Sequence, residues 1–159
     1  MYRIGPLLPA ILSIAVLASA GAAYGQRVGT TGAVRHSSTG TPPGGGSRTL
    51  ELGADVVFQE RIQTTASGSL QVLFVDRTSL SVGPNSDITI DEFVYNPSSG
   101  SGTFVASVAK GSFRFVGGQI SKTSGATIKT PVATMGIRGT VVGFSFNGRN
   151  LQVSNFQGN

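Results

Sequence analysis

After Glu51 the sequence consists of short runs in which apolar and polar residues alternate, and no other feature constrains the fold as strongly. Leu80 and Val82 alternate with serines, and Ile88 and Ile90 alternate with polar residues. A period of two places successive side chains on opposite faces of a β-strand. No window of this region combines the 3.6-residue apolar spacing with the capping residues of a long helix. The pattern therefore predicts an all-β fold in which helices are absent or very short.

The predicted strands are short because turn residues interrupt them about every nine positions. Turns are expected at residues 76–77 and at the Gly-Pro-Asn of residues 83–85. The run 69–75 is apolar at both sets of alternating positions, so we expect it to be buried on both faces. The longest polar break, residues 96–102, predicts an exposed hairpin tip between strands near Tyr95 and Thr103.

Two all-β architectures are compatible with this spacing. In a β-solenoid-like twisted stack, each rung buries its apolar side chains against the next rung, whereas in a β-sandwich two sheets face each other across a common core. The short strands and the Ser and Thr residues on their outer faces favour the solenoid-like stack, with the sandwich as the alternative.

The N-terminal third of the chain differs in composition from the remainder. Residues 1–25 have the layout of a signal peptide, with Arg3 before an apolar stretch and small residues before Gln26. Residues 26–50 are rich in Gly, Ser, Thr and Pro and contain few apolar side chains, which predicts a disordered spacer. The folded domain is expected at residues 51–159, and a membrane contact is expected only through the N-terminal segment if it remains uncleaved.

The sequence lacks the residues of the common catalytic and metal sites. It contains no cysteine, and its single histidine, His36, lies in the predicted spacer. Asp87, Asp91 and Glu92 form a small acidic cluster, which we interpret as a solvated strand face rather than a calcium site. The basic residues are dispersed, so a nucleic-acid partner is not expected. We therefore predict no catalytic residue, no metal, no cofactor and no enzymatic activity.

Several ordered motifs are recognisable in the predicted domain. In chain order they are a Gly, an apolar pair, an Ile-x-Thr, a Gly-Ser, an Asp-x-Thr turn, a Pro-x-Ser, a Gly-centred strand, a Thr-Pro and an Arg-Gly-Thr. In this order they resemble the FecR-type domain of bacterial envelope proteins. The residues are Gly53, Val56 and Val57, Ile62 and Thr64, Gly68 and Ser69, Asp76 and Thr78, Pro84 and Ser86, Lys110 to Phe115, Thr130 and Pro131, and Arg138, Gly139 and Thr140.

The resemblance implies a β-solenoid-like periplasmic domain that binds or signals rather than catalyses. The best-known members relay the state of an outer-membrane transporter to a sigma factor through a cytoplasmic region before a membrane span. Here about six residues precede the apolar segment, so we expect a periplasmic or secreted binding module whose partner is an envelope protein or polysaccharide. The alternatives are a structural or adhesive surface scaffold, or a periplasmic sensor component linked to a TonB-dependent transporter and a sigma factor.

Two further expectations concern individual motifs. Arg138 could clamp a ligand, but the Arg-Gly-Thr motif and the other family residues are interpreted as structural. Residues 151–159 resemble the penultimate strand of the family and its Gly turn. We therefore expect the domain either to be truncated at its C-terminus or to be completed there by a partner or by self-association at this edge.

Overall fold

The computed structural model of the chain describes residues 25–139 and 141–155. Within them lie thirteen strands and one short helix. The elements are β1 (Arg27–Arg35), β2 (Ser38–Thr41), β3 (Arg48–Thr49), β4 (Asp55–Val57), β5 (Arg61–Thr64), β6 (Ser69–Phe74), β7 (Ser79–Val82), β8 (Asp87–Tyr95), β9 (Gly102–Val116), α1 (Gln119–Thr123), β10 (Ala126–Lys129), β11 (Thr134–Ile137), β12 (Val141–Phe146) and β13 (Leu151–Asn155).

The strands form one sheet that curls on itself, and the long strand β9 belongs to both halves. The first part of β9 pairs with β8 and β10, and its last part pairs with β7 and β12. We call layer A the half with the order β4-β1-β6-β7-β9-β12-β13, and layer B the half with the order β3-β2-β5-β8-β9-β10-β11. Every strand pair in the described residues is antiparallel except β9 with β10.

The all-β prediction is confirmed, as is the expectation of very short helices, because α1 has five residues. One hydrophobic core includes residues of both layers. The layers therefore face each other across a shared core, which places the curled sheet closer to the sandwich alternative than to a stack of separate rungs.

A cluster of phenylalanines connects the two layers through this core. Phe74 of layer A stacks on Phe93 of layer B with ring centroids 5.3 Å apart. Phe104, in the first part of β9, lies edge-on to Phe74 at 5.0 Å and to Phe115, in the last part of β9, at 5.4 Å. Such aromatic pairs stabilise a fold beyond the burial of their surface, by about 0.5–1.5 kcal/mol each.

The strand β9 passes from one layer to the other at Gly111. Its φ is 122°, a region that side-chain-bearing residues rarely adopt. A Cβ atom at this position would lie 2.5 Å from the Cα atom of Ser86. Both the backbone conformation and the space at this crossing therefore require glycine.

The prediction of a disordered spacer over residues 26–50 is wrong. This segment contributes β1, β2 and β3, and the folded region thus begins before residue 51. In layer A, β1 lies between β4 and β6, while β2 lies between β3 and β5 in layer B. Val28 and Leu50 have no exposed surface.

The prediction was wrong because glycines of β1 lie where this strand closely approaches its neighbour β6. A Cβ atom at Gly29 would lie 2.6 Å from the carbonyl oxygen of Leu73, and one at Gly32 would lie 2.6 Å from Leu73 Cδ1. These two positions have little room for a larger side chain, so their glycines reflect close packing and not an unfolded segment. The backbone groups of β1 are satisfied by strands that come later in the sequence.

Most local predictions in the central region are confirmed. The polar break at residues 96–102 connects β8, which ends at Tyr95, to β9, which begins at Gly102. The run 69–75, however, is buried on one face only, because Leu73 and Val75 are 43% and 46% exposed. The predicted signal peptide lies outside the described residues except for Gly25. Within the described part, no helix has the length and apolar character needed to cross a membrane.

Candidate binding surface

The Asp-x-Thr motif forms a buried hydrogen-bonded node between layer A and α1. The Asp76 carboxylate, which has no exposed surface, accepts hydrogen bonds from the Thr78 backbone N–H at 2.9 Å and the Thr78 hydroxyl at 2.8 Å. It also accepts one from the Ile120 backbone N–H at 3.2 Å. The Thr78 hydroxyl in turn accepts one from Gly118 N–H at 3.1 Å. The motif thus attaches the start of α1 to the β6–β7 turn.

The Ile-x-Thr and Pro-x-Ser motifs meet at the turn between β7 and β8. Ile62 is fully buried in the core. The Thr64 hydroxyl donates to the Gly83 carbonyl at 2.7 Å and accepts from Ser86 N–H at 2.9 Å. Pro84 lies in this turn, and its carbonyl accepts a hydrogen bond from the Ser86 hydroxyl at 3.2 Å. These side chains bind the turn to β5.

The first two glycine motifs favour glycine for different reasons, which are the backbone conformation at Gly53 and the lack of space at Gly68. Gly53 has a φ of 80° and donates its N–H to the Thr31 carbonyl at 2.9 Å. A Cβ atom at Gly68 would lie 2.5 Å from the Ser37 carbonyl oxygen. Both glycines therefore lie where the chain contacts the N-terminal segment.

The Thr-Pro motif forms the turn between β10 and β11. The Thr130 hydroxyl donates to the Ala133 carbonyl at 2.9 Å and accepts from Ala133 N–H at 3.0 Å, with Pro131 between them. The exposed Arg138 donates to the Thr123 carbonyl, in the last turn of α1, at 2.9 Å. The Arg138 guanidinium thus caps a helix end.

In the Arg-Gly-Thr motif, the structure describes the arginine and the glycine. Gly139 has a φ of 124°, and its carbonyl accepts a hydrogen bond from the buried Ser121 hydroxyl at 3.1 Å. Thr140 lies outside the described residues.

A partly buried ion pair that the sequence did not indicate connects the N-terminal segment to the core. Arg48 Nη2 lies 2.7 Å from Glu60 Oε1, and the Glu60 side chain has no exposed surface. Glu60 Oε2 accepts a hydrogen bond from Val57 N–H at 2.8 Å. A Cβ atom at Gly40 would overlap this carboxylate, lying 3.0 Å from its Cδ atom. Glycine at position 40 therefore provides the space in which the carboxylate is buried.

The substitution Arg48→Ala should lower the free energy of unfolding by about 2 kcal/mol, because it leaves the buried Glu60 carboxylate without its cation. The control is Arg27→Ala. Arg27 pairs with Asp55 at 3.4 Å, with both side chains more than half exposed, so its loss should cost about 0–1 kcal/mol. Urea unfolding of both variants measures the difference, and equal effects would contradict a structural role for the Arg48–Glu60 pair.

The outer face of layer B carries a group of charged and hydroxyl side chains. On β8 the inward positions are the buried Ile88 and Ile90, so Thr89 and Asp91 face outward. Asp87 lies on the same side but is buried beneath Arg61 and Gln63, so the expectation of a solvated strand face is wrong for this residue. In register, Thr89 lies beside Arg61 of β5 and, on its other side, beside a serine of β9. The outer face thus spans adjacent strands.

An ion pair on this face has bidentate geometry. Arg61 Nε lies 2.9 Å from Asp87 Oδ1, and Arg61 Nη2 lies 2.5 Å from Asp87 Oδ2. Gln63 Nε2 donates to the same carboxylate at 3.2 Å. The hydrogen bonds that Arg61 donates to Asp87, together with the negative charge of Asp87, raise the pKa of the Arg61 guanidinium above its ordinary value. The Arg61 guanidinium therefore stays protonated at any physiological pH.

The acidic cluster is divided between two different contacts. Asp87 is held by Arg61 and Gln63, whereas Asp91 Oδ2 accepts the Ser107 hydroxyl at 2.5 Å. In the described residues, no three acidic or histidine side chains converge as a metal site would require.

A shallow, open groove of about 560 Å³ runs along this outer face. It lies between the Arg61–Asp87 pair and the β10–β11 turn. Its side chains offer donors and acceptors of both charges together with hydroxyl groups. We call it the layer B groove; it is lined by Arg61, Asp87, Thr89, Ser107, Val108, Ala109, Lys129, Thr130 and Pro131.

The C-terminal edge, where self-association was expected, is formed by β13. Among the described residues β13 pairs with β12 alone, and Val153 is 52% exposed. Pairing of this edge with a partner or a second copy stays a prediction.

Three comparisons with known proteins bear on the identity of the chain. A family model described as "FecR protein" matches residues 60–159. No curated protein matches the chain significantly. A solved structure described as "Cell surface anchoring domain" is 33% identical, with 40% of this chain and 83% of that chain covered, at a TM-score of 0.38. A TM-score of that size does not establish a shared fold.

The matched segment contains more than half of the chain and carries nearly all of the motifs, from Ile62 to Thr140. Gly53 and the strands β1 to β4 precede it, although they belong to the same sheet. The chain belongs to the FecR family.

Proposed function

We propose that the chain is an exported, non-catalytic binding module of the bacterial envelope, periplasmic or secreted, and that it binds an envelope polysaccharide in the layer B groove. Membership of the FecR family supports an envelope location and a role in binding. The side chains of the groove can form the hydrogen bonds and charged contacts that bind a polymer.

The observation that carries the proposal is the combination of shape and side chains in this groove. Rows of sugar hydroxyl groups both donate and accept hydrogen bonds, and the groove presents partners for both functions. Lys129 and the N–H groups of Arg61 that do not bind Asp87 supply charged donors, whose hydrogen bonds are roughly twice as strong as neutral ones. An open groove accommodates a chain that continues beyond the site at either end.

A non-catalytic role agrees with the composition of the groove. The single histidine, His36, lies in the turn between β1 and β2 and does not line the groove. The hydroxyl groups of Thr89 and Ser107 therefore have no imidazole beside them to act as a general base.

The test is binding of the purified full-length protein to isolated envelope polysaccharide, measured by co-sedimentation with peptidoglycan sacculi and with other purified envelope glycans. Lys129→Glu reverses a charge in the groove and should weaken binding roughly fivefold to tenfold. Arg114→Glu is the matched control. It makes the same change of charge at an exposed position of layer A, so it should bind like the wild type.

Treatment of the envelope fraction with protease separates the two classes of partner. Binding that survives the treatment supports a polysaccharide, whereas binding that disappears points to a protein partner and contradicts the proposal. Equal binding by the Lys129→Glu and Arg114→Glu variants would show that the layer B groove is not the site.

A further inference from the structure

A second cleft lies where the β6–β7 turn and the start of β1, in layer A, meet the end of β8, in layer B. Its volume is about 360 Å³, within the range of small-ligand sites. We call it the mouth cleft and define it by Arg27, Val75, Arg77, Phe93 and Tyr95. It shares no residue with the layer B groove, so the inference is independent of the proposed function.

The lining of the mouth cleft combines positive charge with apolar and aromatic surface. Two arginines, Arg27 and Arg77, line it, and no acidic residue does. Val75 is 46% exposed although its neighbour Phe74 is buried, and Phe93 lines the cleft although only 3% of its surface is exposed. Guanidinium groups bind carboxylate and phosphate oxygens through paired hydrogen bonds. An oxyanion attached to an apolar body matches both parts of this lining.

Neither arginine is committed to a strong internal partner. The contact of Arg27 with Asp55 is long and exposed, a type of pair that contributes little. In the described part of the chain, the Arg77 side chain takes part in none of the ion pairs. Both guanidinium groups can therefore turn to a ligand.

The backbone of Arg77 is strained, as it is at three other described non-glycine residues, His36, Gln59 and Asn85. Its φ is 70°, the left-handed region in which glycine is favoured. The residue closes a tight turn in which Arg77 N–H donates to the Phe74 carbonyl at 3.0 Å, a position where hairpins usually carry glycine. The neighbouring Asp76–Thr78 node holds this conformation. Residues kept in sparsely populated conformations concentrate at functional sites.

We propose that the mouth cleft binds a small organic anion, with a carboxylate or phosphate group between Arg27 and Arg77 and an apolar or ring-shaped body against Val75, Phe93 and Tyr95. The Arg77 side chain is retained for this contact at the expense of local stability. Its replacement by glycine therefore has opposite effects on binding and on stability.

The experiment titrates the full-length protein with benzoate and with phenyl phosphate, using calorimetry and the amide NMR signals of Arg77 and Tyr95. Arg77→Gly should weaken binding of the preferred anion roughly tenfold or more. The same substitution should raise Tm by roughly 3 °C, because glycine relieves the strained backbone. Arg149→Ala, which removes an exposed arginine from the β12–β13 turn, should leave binding unchanged.

Comparison of the probes separates the sources of the anion. Tighter binding of benzoate assigns the site to carboxylates, and tighter binding of phenyl phosphate assigns it to phosphate esters. Inorganic phosphate lacks the ring and phenol lacks the phosphate group, so both should bind more weakly than phenyl phosphate.

Three outcomes would overturn the proposal. The first is that the wild-type protein binds both anions with dissociation constants above about 10 mM. The second is that Arg77→Gly binds the preferred anion as tightly as the wild type. The third is that Arg77→Gly and Arg149→Ala lose the same affinity, which would indicate a general effect of net charge. Arg77→Asn, which also tolerates the left-handed region, replaces the glycine variant if that variant fails to fold.

Discussion

Deletion of residues 26–50 is expected to unfold the domain. The deletion removes β1 from between β4 and β6, so that β4 loses its strand partner and β6 becomes an exposed edge. Burial of Val28 and Leu50 is lost, which costs about 1.5–3 kcal/mol for each side chain. Glu60 loses Arg48, its cation. Because a domain of this size is stable by about 5–15 kcal/mol in total, the sum of these losses should abolish cooperative unfolding.

Circular dichroism with thermal and urea unfolding measures the effect. The control changes the same segment at exposed positions, with Pro43→Ser and Gly46→Ser in the loop between β2 and β3, and should unfold like the wild type. A truncated protein that retained a cooperative transition at the wild-type midpoint would show that residues 26–50 act as a spacer after all. The family match begins at residue 60. A truncated protein that begins at this residue should therefore also lack a cooperative unfolding transition.

Replacement of Asp76 by alanine is expected to be the most damaging single substitution among the family motifs. The change leaves Thr78 N–H, the Thr78 hydroxyl and Ile120 N–H without their acceptor in a buried site. An unsatisfied buried donor costs about 1–3 kcal/mol. We therefore expect the free energy of unfolding to fall by about 3 kcal/mol or more.

Urea unfolding checks this value, with Asp55→Ala as the control because Asp55 is exposed and makes a single long ion pair. Asp76→Asn should lie between alanine and the wild type, since an amide oxygen can still accept from part of the donor set. A loss below about 1 kcal/mol for Asp76→Ala would mean that water replaces the carboxylate and that the node does not stabilise the fold.

The alternation of residues was sufficient to predict the central strands. Leu80 with Val82 and Ile88 with Ile90 are buried on one side of their strands, as their period of two requires. The hairpin at residues 96–102 was predictable because a run of Ser, Gly and Asn has no apolar side chain to bury. In each case the information is local, since the side-chain direction follows from the strand backbone itself.

The strand β1 could not be predicted in this way, because its neighbours determine its composition. Gly29 and Gly32 lie against the backbone and side chain of Leu73, and a sequence reading cannot distinguish glycine required by close packing from glycine that promotes disorder. The Arg48–Glu60 pair was missed for a related reason. Its two residues meet only after β2 has paired with β5 and created a space beside Gly40.

The sequence by itself determined the all-β class, the sidedness of the central strands, most of the turns and the resemblance to the FecR family. The tertiary structure alone decided that the N-terminal segment completes both layers, that the layers share a core, and that Arg27 and Arg77 line one cleft while Arg61, Asp87 and Lys129 line another. The physical reason is that alternation encodes which face of a strand is buried, whereas the pairing of strands depends on contacts between residues far apart in the chain.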